Sequence, residues 1–146
     1  MNLGISTLQN LEIIGSQINL SIQLFKNSSN LNSISIEAYE LEIFKPEIFE
    51  GLHNLKYLNI TTKQIVHLKP GIFCYLINIE NLILSNMNHK SLFPGILQDL
   101  INLEHLKLSN TMLTKLPSKF FANMTHLESI IIENNEISEL DRKSVV

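Results

Sequence analysis

Three glutamates, Glu80, Glu104 and Glu128, stand 24 residues apart, and Lys56 precedes the first of them by the same interval. Tyr57, His105, Lys107 and Glu133 lie within a few residues of that row. Carboxylates in such a row support two kinds of chemistry. Enclosed in a dry cleft they shift one another's pKa values and work as an acid and a base. Set out along an open surface they form a fixed row of negative charge, which repels itself and favours a basic partner. The open reading fits this chain, and its bland counterpart is a solvated polar face with no partner. The chain has neither a glycine-rich phosphate loop nor a G-x-S-x-G elbow. Its histidines (53, 67, 89, 105 and 126) fall at unrelated places, which argues against a metal cluster. Cys74 is the single cysteine, so neither an intrachain disulfide nor a thiolate metal site is available. No catalytic, cofactor-binding or metal residue is expected, and the protein reads as a non-enzyme.

The surface that would carry this row follows from a repeat. Segments starting at Leu31, Leu55, Ile79, Leu103 and Leu127 are each 24 residues apart, and each opens on the pattern L-x-x-L-x-L. A shorter copy of 23 residues starts at Leu8. A period of 20–29 residues with this pattern defines a leucine-rich-repeat solenoid. The fold class expected is α/β: a parallel β-sheet on the concave face, with turns and short helical or 3-10 segments on the convex face. Residues 1–146 form one array of six repeats, 8–30, 31–54, 55–78, 79–102, 103–126 and 127–146, the last incomplete.

Within each copy the fourth and sixth positions point the same way from a strand of period two. Ile34 and Ile36, Leu58 and Ile60, Leu82 and Leu84, Leu106 and Leu108, and Ile130 and Ile132 therefore face inward. Positions 11 and 14 are apolar in nearly every copy, with His89 the exception, and should add to the core. A further column, Phe25, Phe49, Phe73, Leu97 and Phe121, predicts an aromatic spine under the convex side, with Leu52, Leu76, Leu100 and Met124 as companions. Pro46, Pro70, Pro94 and Pro117 turn the chain away from strand geometry there. Cys74, next to the spine, is expected to pack as a small residue.

Position 9, where such repeats commonly place an asparagine that ties one loop to the next, holds it only at Asn135. Asn86, Asn110 and Asn134 fall one position earlier and are expected to substitute in part. The early repeats are therefore the irregular half. The exposed concave positions are 2, 3, 5, 7 and 8, which makes Lys56, Tyr57, Glu80, Glu104, His105, Lys107, Glu128 and Glu133 the candidate contacts.

Hydrophobic content of 45% and a net charge of −3 suit a folded domain. Neither a basic run nor a long apolar stretch marks a nucleic-acid or membrane-spanning chain, and the acidic row disfavours nucleic acid as a ligand of this segment. The first residues lack the charged and apolar regions of a signal peptide. A solenoid buries each repeat only against its neighbours. Leu8, Leu11 and Ile13 at one end, and Ile130, Ile132, Ile137 and Leu140 at the other, are thus expected to be partly bare. Half-exposing seven aliphatic side chains forgoes roughly 5–10 kcal/mol, so the chain is expected to be a segment of a longer array.

Residues 100–137, with N-L-E-x-L-x-L-S-N-T, L-x-x-L-P and F-F-x-N-M-T-x-L, resemble the ectodomain of a vertebrate Toll-like receptor, and the likeness extends over residues 31–140. The resemblance implies innate-immune pattern recognition and signal transduction. It also implies an extracellular or endosomal location within a membrane receptor, a protein or pathogen-derived ligand, and receptor dimerisation. Asn19, Asn27, Asn59 and Asn123 begin N-x-S/T sequons, candidate N-glycosylation sites if the chain is a secreted glycoprotein. A glycan on Asn59, mid-strand on the concave side, would block ligand approach there. The alternative is a free-standing intracellular leucine-rich-repeat scaffold or inhibitor, in the cytoplasm.

Overall fold

A computed structural model describes residues 6–22, 24–41, 45–65, 68, 71–87, 95–116 and 118–138. Six strands follow one another, β1 (Asn10–Ile18), β2 (Ser33–Leu41), β3 (Tyr57–Ile65), β4 (Asn81–Ser85), β5 (His105–Ser109) and β6 (Ser129–Glu133). They form one parallel sheet in sequence order. The register advances by one repeat per strand: Ile34 pairs with Leu58, Leu58 with Leu82, Leu82 with Leu106, and Leu106 with Ile130. The spacing of the leucines thus fixes strand pairing, since a slip of one residue would turn every core side chain to solvent.

The core lies behind the sheet. Ile34, Ile36, Leu58, Ile60, Leu82, Leu84, Leu106 and Leu108 are buried. Phe25, Phe49 and Phe73 stack beneath them at centroid separations of 6.4 Å, and Leu97 continues the column, buried. At the next step Phe120 is buried, whereas the expected Phe121 is half-buried and packs edge-on against it at 5.1 Å. Phe120 belongs to a second column, Leu24, Ile48, Ile72 and Ile96, one residue before the spine; all but Leu24 are buried. Both columns supply the convex wall.

The convex side carries turns and little helix, the sparse end of what the α/β expectation allowed. Among the described residues the one helix is a 3-10 turn, Pro46–Phe49. The reason is a ladder of tight turns. Leu76 N–H bonds Phe73 O (2.9 Å), and Ile79 N–H bonds Leu76 O (3.3 Å). The same two steps recur from Phe25, Phe49, Leu97 and Phe121. Two three-residue steps carry the chain from the spine to the next strand, too few residues to wind an α-helix and keep the period. Left-handed Gly71 and Gly95 (φ 74° and 87°) open a further turn that overlaps the spine residue, their carbonyls accepting from Cys74 and Gln98 N–H.

The strands come in two lengths, a difference the uniform period does not show. β1–β3 have nine residues and β4–β6 five. Position 8 decides it. Ala38 and Thr62 point inward and are buried, letting the strand run on. In these two repeats this corrects the placing of position 8 on the concave surface, whereas Asn110 and Asn134 at that position are exposed. At the same position Asn86, Asn110 and Asn134 adopt left-handed backbones (φ 60°, 52° and 54°), which ends the strand. Asparagine enters that region more readily than most residues.

At the two ends, Leu8, Leu11, Ile13, Ile132 and Ile137 are half-buried, and Ile130 is 40% exposed where its equivalent Leu106 is 1% exposed. Of the other expected core positions, Leu41, Leu68, Leu113 and Leu116 are buried. Phe44, His89, Leu92 and Leu140, the side chain of Ile65, and Pro70, Pro94 and Pro117 lie outside the described residues.

Candidate functional site

The concave face is a lattice of side chains from positions 3, 5 and 7, bordered by the position-2 residues. The border is built by the backbone: Glu80 N–H bonds Lys56 O, Glu104 N–H bonds Glu80 O, and Glu128 N–H bonds Glu104 O, at 2.8–2.9 Å. Lys56, Glu80, Glu104 and Glu128 therefore stand one above the next, as the 24-residue spacing predicts.

Charge is distributed differently from a bare acidic row. Lys56 Nζ sits 2.7 Å from Glu80 Oε1 and closes one end of the row. Its hydrogen bond to Glu80 and the attraction of that carboxylate raise the lysine pKa. Lys107 on β5 reaches Glu133 on β6, also at 2.7 Å. Bonds from Lys107 and from the Ser109 hydroxyl (3.0 Å) hold the Glu133 carboxyl below its ordinary pKa. Glu133 thus serves the fold across one strand gap instead of extending the row. Glu104 and Glu128 are left without an ion pair among the described residues. Tyr57 is half-exposed and His105 exposed, both at position 3. Tyr57 and His105 lie two strands apart, on either side of Asn81.

Of the sequon asparagines, Asn19, Asn27 and Asn123 are exposed. Asn59 is half-buried in β3, donating to Ser35 Oγ (3.1 Å) and accepting from Thr61 Oγ1 (3.3 Å). Cys74 is exposed, contrary to the packed position expected of it. Desolvation, with Asp99 adding, raises its pKa and disfavours a reactive thiolate.

The asparagines divide by role. Asn135 ties two repeats together: its Oδ1 accepts from Thr111 N–H (2.8 Å), Thr111 Oγ1 (2.7 Å) and Leu113 N–H (3.3 Å), while its Nδ2 donates to Leu108 O and Glu133 O. Among the described residues Asn86, Asn110 and Asn134 make no comparable tie, and their service is the left-handed backbone. A true amide ladder runs along the opposite edge. Asn54 donates to Ser29 O, Asn78 to His53 O and Asn102 to Ile77 O (2.8–2.9 Å); Asn30 bonds Ser6 O, and His126 meets Ile101 O at 3.0 Å. These residues all immediately precede a repeat's first apolar residue, so the column was present in the sequence as N-L and N-I pairs, ending in one H-L pair.

Sequence reasoning also passed over Lys63 and Met112. They line a groove of about 480 Å³ with Asn86, Met87 and Asn110, at the far ends of the strands. The available signal was Met112 itself, apolar in a column that otherwise reads Glu40, Gln64, Asn88 and Glu136.

Repeated parallel strands, a stacked aromatic spine and an unrepeated concave lattice define a leucine-rich-repeat solenoid, a class that generally serves protein interaction. The chain belongs to the BspA type leucine rich repeat family, whose pattern matches six copies over residues 18–144. No curated protein matches the chain. Among the described residues no helix is long and apolar enough to cross a membrane.

Proposed function

We propose that the chain is a non-catalytic recognition module that binds a protein partner on the concave sheet. The observation that carries this reading is a contrast within one chain. Core columns repeat the same apolar types, because each must fill the same space. The concave position-3 column instead reads Asn10, Ser33, Tyr57, Asn81, His105 and Ser129, and position 5 reads Glu12, Ser35, Asn59, Ile83, Lys107 and Ile131. Packing does not constrain these side chains to be alike, so this is where the array can hold a non-repeating message. Tyr57 and His105 are the contacts of first choice, with Glu104 and Glu128 favouring a partner that is basic at that border.

The narrower form of the reading is an extracellular or endosomal receptor ectodomain of the Toll-like kind. It is supported by the likeness of residues 100–137 and by three exposed sequon asparagines. Mass spectrometry of the natural protein decides it: glycans at Asn19, Asn27 or Asn123 are expected, and unmodified cytosolic protein as the sole natural form refutes the narrower form alone. For the binding reading, Tyr57→Ala/His105→Ala is compared with the exposed pair Ile77→Ala/Ile101→Ala, beside the amide ladder, by cross-linking in the native source. Partners cross-linked to the unaltered chain should be lost with the concave pair and kept with the edge pair. The reverse pattern overturns it.

A further inference from the structure

We propose a second docking site, separate from the centre of the concave sheet, for an extended acidic–apolar peptide segment of a protein partner. It lies where the long strands give way to the short ones. β3 pairs with β2 as far as Leu41↔Ile65, but with β4 only as far as Thr61↔Ser85. Lys63, beyond that last pair, overlooks the groove on one side, and Met112 faces it from two repeats further on.

Two features of Met112 mark it out. It is 61% exposed, and it holds a left-handed backbone (φ 54°) that an unbranched apolar residue seldom adopts. Asn135 keeps it there, because its Oδ1 bonds the backbone N–H groups of residues 111 and 113 on either side. An exposed methionine in a sparsely populated conformation, fixed by a neighbouring repeat, is a pre-set contact, and methionine suits surfaces that accept varied apolar groups.

Charge selects the occupant. The other two lysines of the concave sheet, Lys56 and Lys107, are paired with carboxylates at 2.7 Å. Lys63 has no carboxylate at ion-pair distance among the described residues; its Nζ stands 5.7 Å from the Tyr39 ring centre. Among the described residues it is the one charged residue lining the larger groove. Asn86 and Asn110 line the space between, and asparagine amides can match the donors and acceptors of an extended backbone. A smaller recess on the other side of Lys63, about 210 Å³, includes Glu37 and so turns a carboxylate away. The acid must therefore meet Lys63 with its apolar neighbour toward Met112. Two strand spacings separate them, roughly 10 Å, which an extended chain covers with the two side chains two or three residues apart.

The test is selection of a phage-displayed random heptapeptide library on the whole 146-residue chain, with counter-selection on Lys63→Glu/Met112→Ser. Both side chains are exposed or solvent-lined, and equal thermal midpoints will show that the variants fold. Surviving peptides should carry Asp or Glu two or three residues from Leu, Phe or Met. As free peptides they should bind Lys63→Glu at least tenfold more weakly, and exchanging their acid for lysine should restore binding to that variant. Met112→Ser should weaken both without changing the charge preference, and Tyr57→Ala/His105→Ala should change nothing, which separates this site from the concave reading. Three outcomes overturn the proposal: no enrichment after counter-selection, peptides lacking the acid, or self-association of the chain abolished by Met112→Ser.

Discussion

Replacing Asn135 and Asn110, two asparagines that end up a strand apart, should give opposite results. Asn135→Ala removes the acceptor of three hydrogen bonds. Thr111 is fully buried, so its N–H and hydroxyl lose their partner with no water to replace it. A buried polar group left unmatched costs about 1–3 kcal/mol. The hydroxyl can turn, so the loss expected is about 2–4 kcal/mol, or roughly 5–15 °C in the thermal midpoint of a domain this size. Asn110 contributes its left-handed backbone, which glycine adopts freely. Asn110→Gly should stay within about 0.5 kcal/mol, and Asn110→Ala should cost about 1–2 kcal/mol. Thermal unfolding followed by circular dichroism gives the ranking, and hydrogen exchange at the Thr111 and Leu113 amides localises it. Protection there should fall in Asn135→Ala and persist in Asn110→Gly. Equal losses for Asn135→Gly and Asn110→Gly would refute the division of roles.

Phe49, enclosed between Phe25 and Phe73, should lose about 3–5 kcal/mol as Phe49→Ala and far less as Phe49→Leu, because the column already accepts Leu97; urea titration measures both. Ser28 occupies the column of Leu52, Leu76 and Leu100, and its Oγ is buried without a hydrogen-bond partner among the described residues. Ser28→Ala should therefore raise the unfolding midpoint, by about 1–3 kcal/mol of relieved burial cost, and a lower midpoint would count against this. The Glu133 carboxyl is held below its ordinary value by Lys107 and Ser109, so its stabilising share is present above the unfolded value, about 4.3, and fades as pH falls through the folded one. Lys107→Met should move the Glu133 titration upward in NMR, and its stability deficit should shrink between pH 6 and pH 3; a constant deficit would sink the assignment.

Strand order, register, inward pairs and most of the spine were legible because each repeats at one interval and each fills space that its neighbours define. Where repeats differ, the rule failed. The aromatic pair Phe120–Phe121 reads as either column, and packing buries the first. Strand length turned on Ala38 and Thr62 against Asn86, Asn110 and Asn134, a choice between inward packing and left-handed backbone that apolar periodicity does not register. The stacked position of Lys56, Glu80, Glu104 and Glu128 followed from spacing, but the two ion pairs did not. Lys107 reaches diagonally from position 5 to position 7 of the next strand, a contact that needs side-chain reach as well as register.

The two margins of the ribbon are stitched unequally. Along one margin Asn54, Asn78 and Asn102 fasten successive coils with one amide each. Along the other, ladders that match eight residue pairs between β1 and β2 and between β2 and β3 fall to five from β3 onward. In a one-dimensional array each junction carries its own share of cooperativity. The junctions from β3 onward should therefore open like a book along their less-stitched margin, with the amide margin as the spine of the binding. Repeats on the two sides would exchange amide protons at separate rates, and a molecule seated across Lys63 and Met112 would act as the clasp.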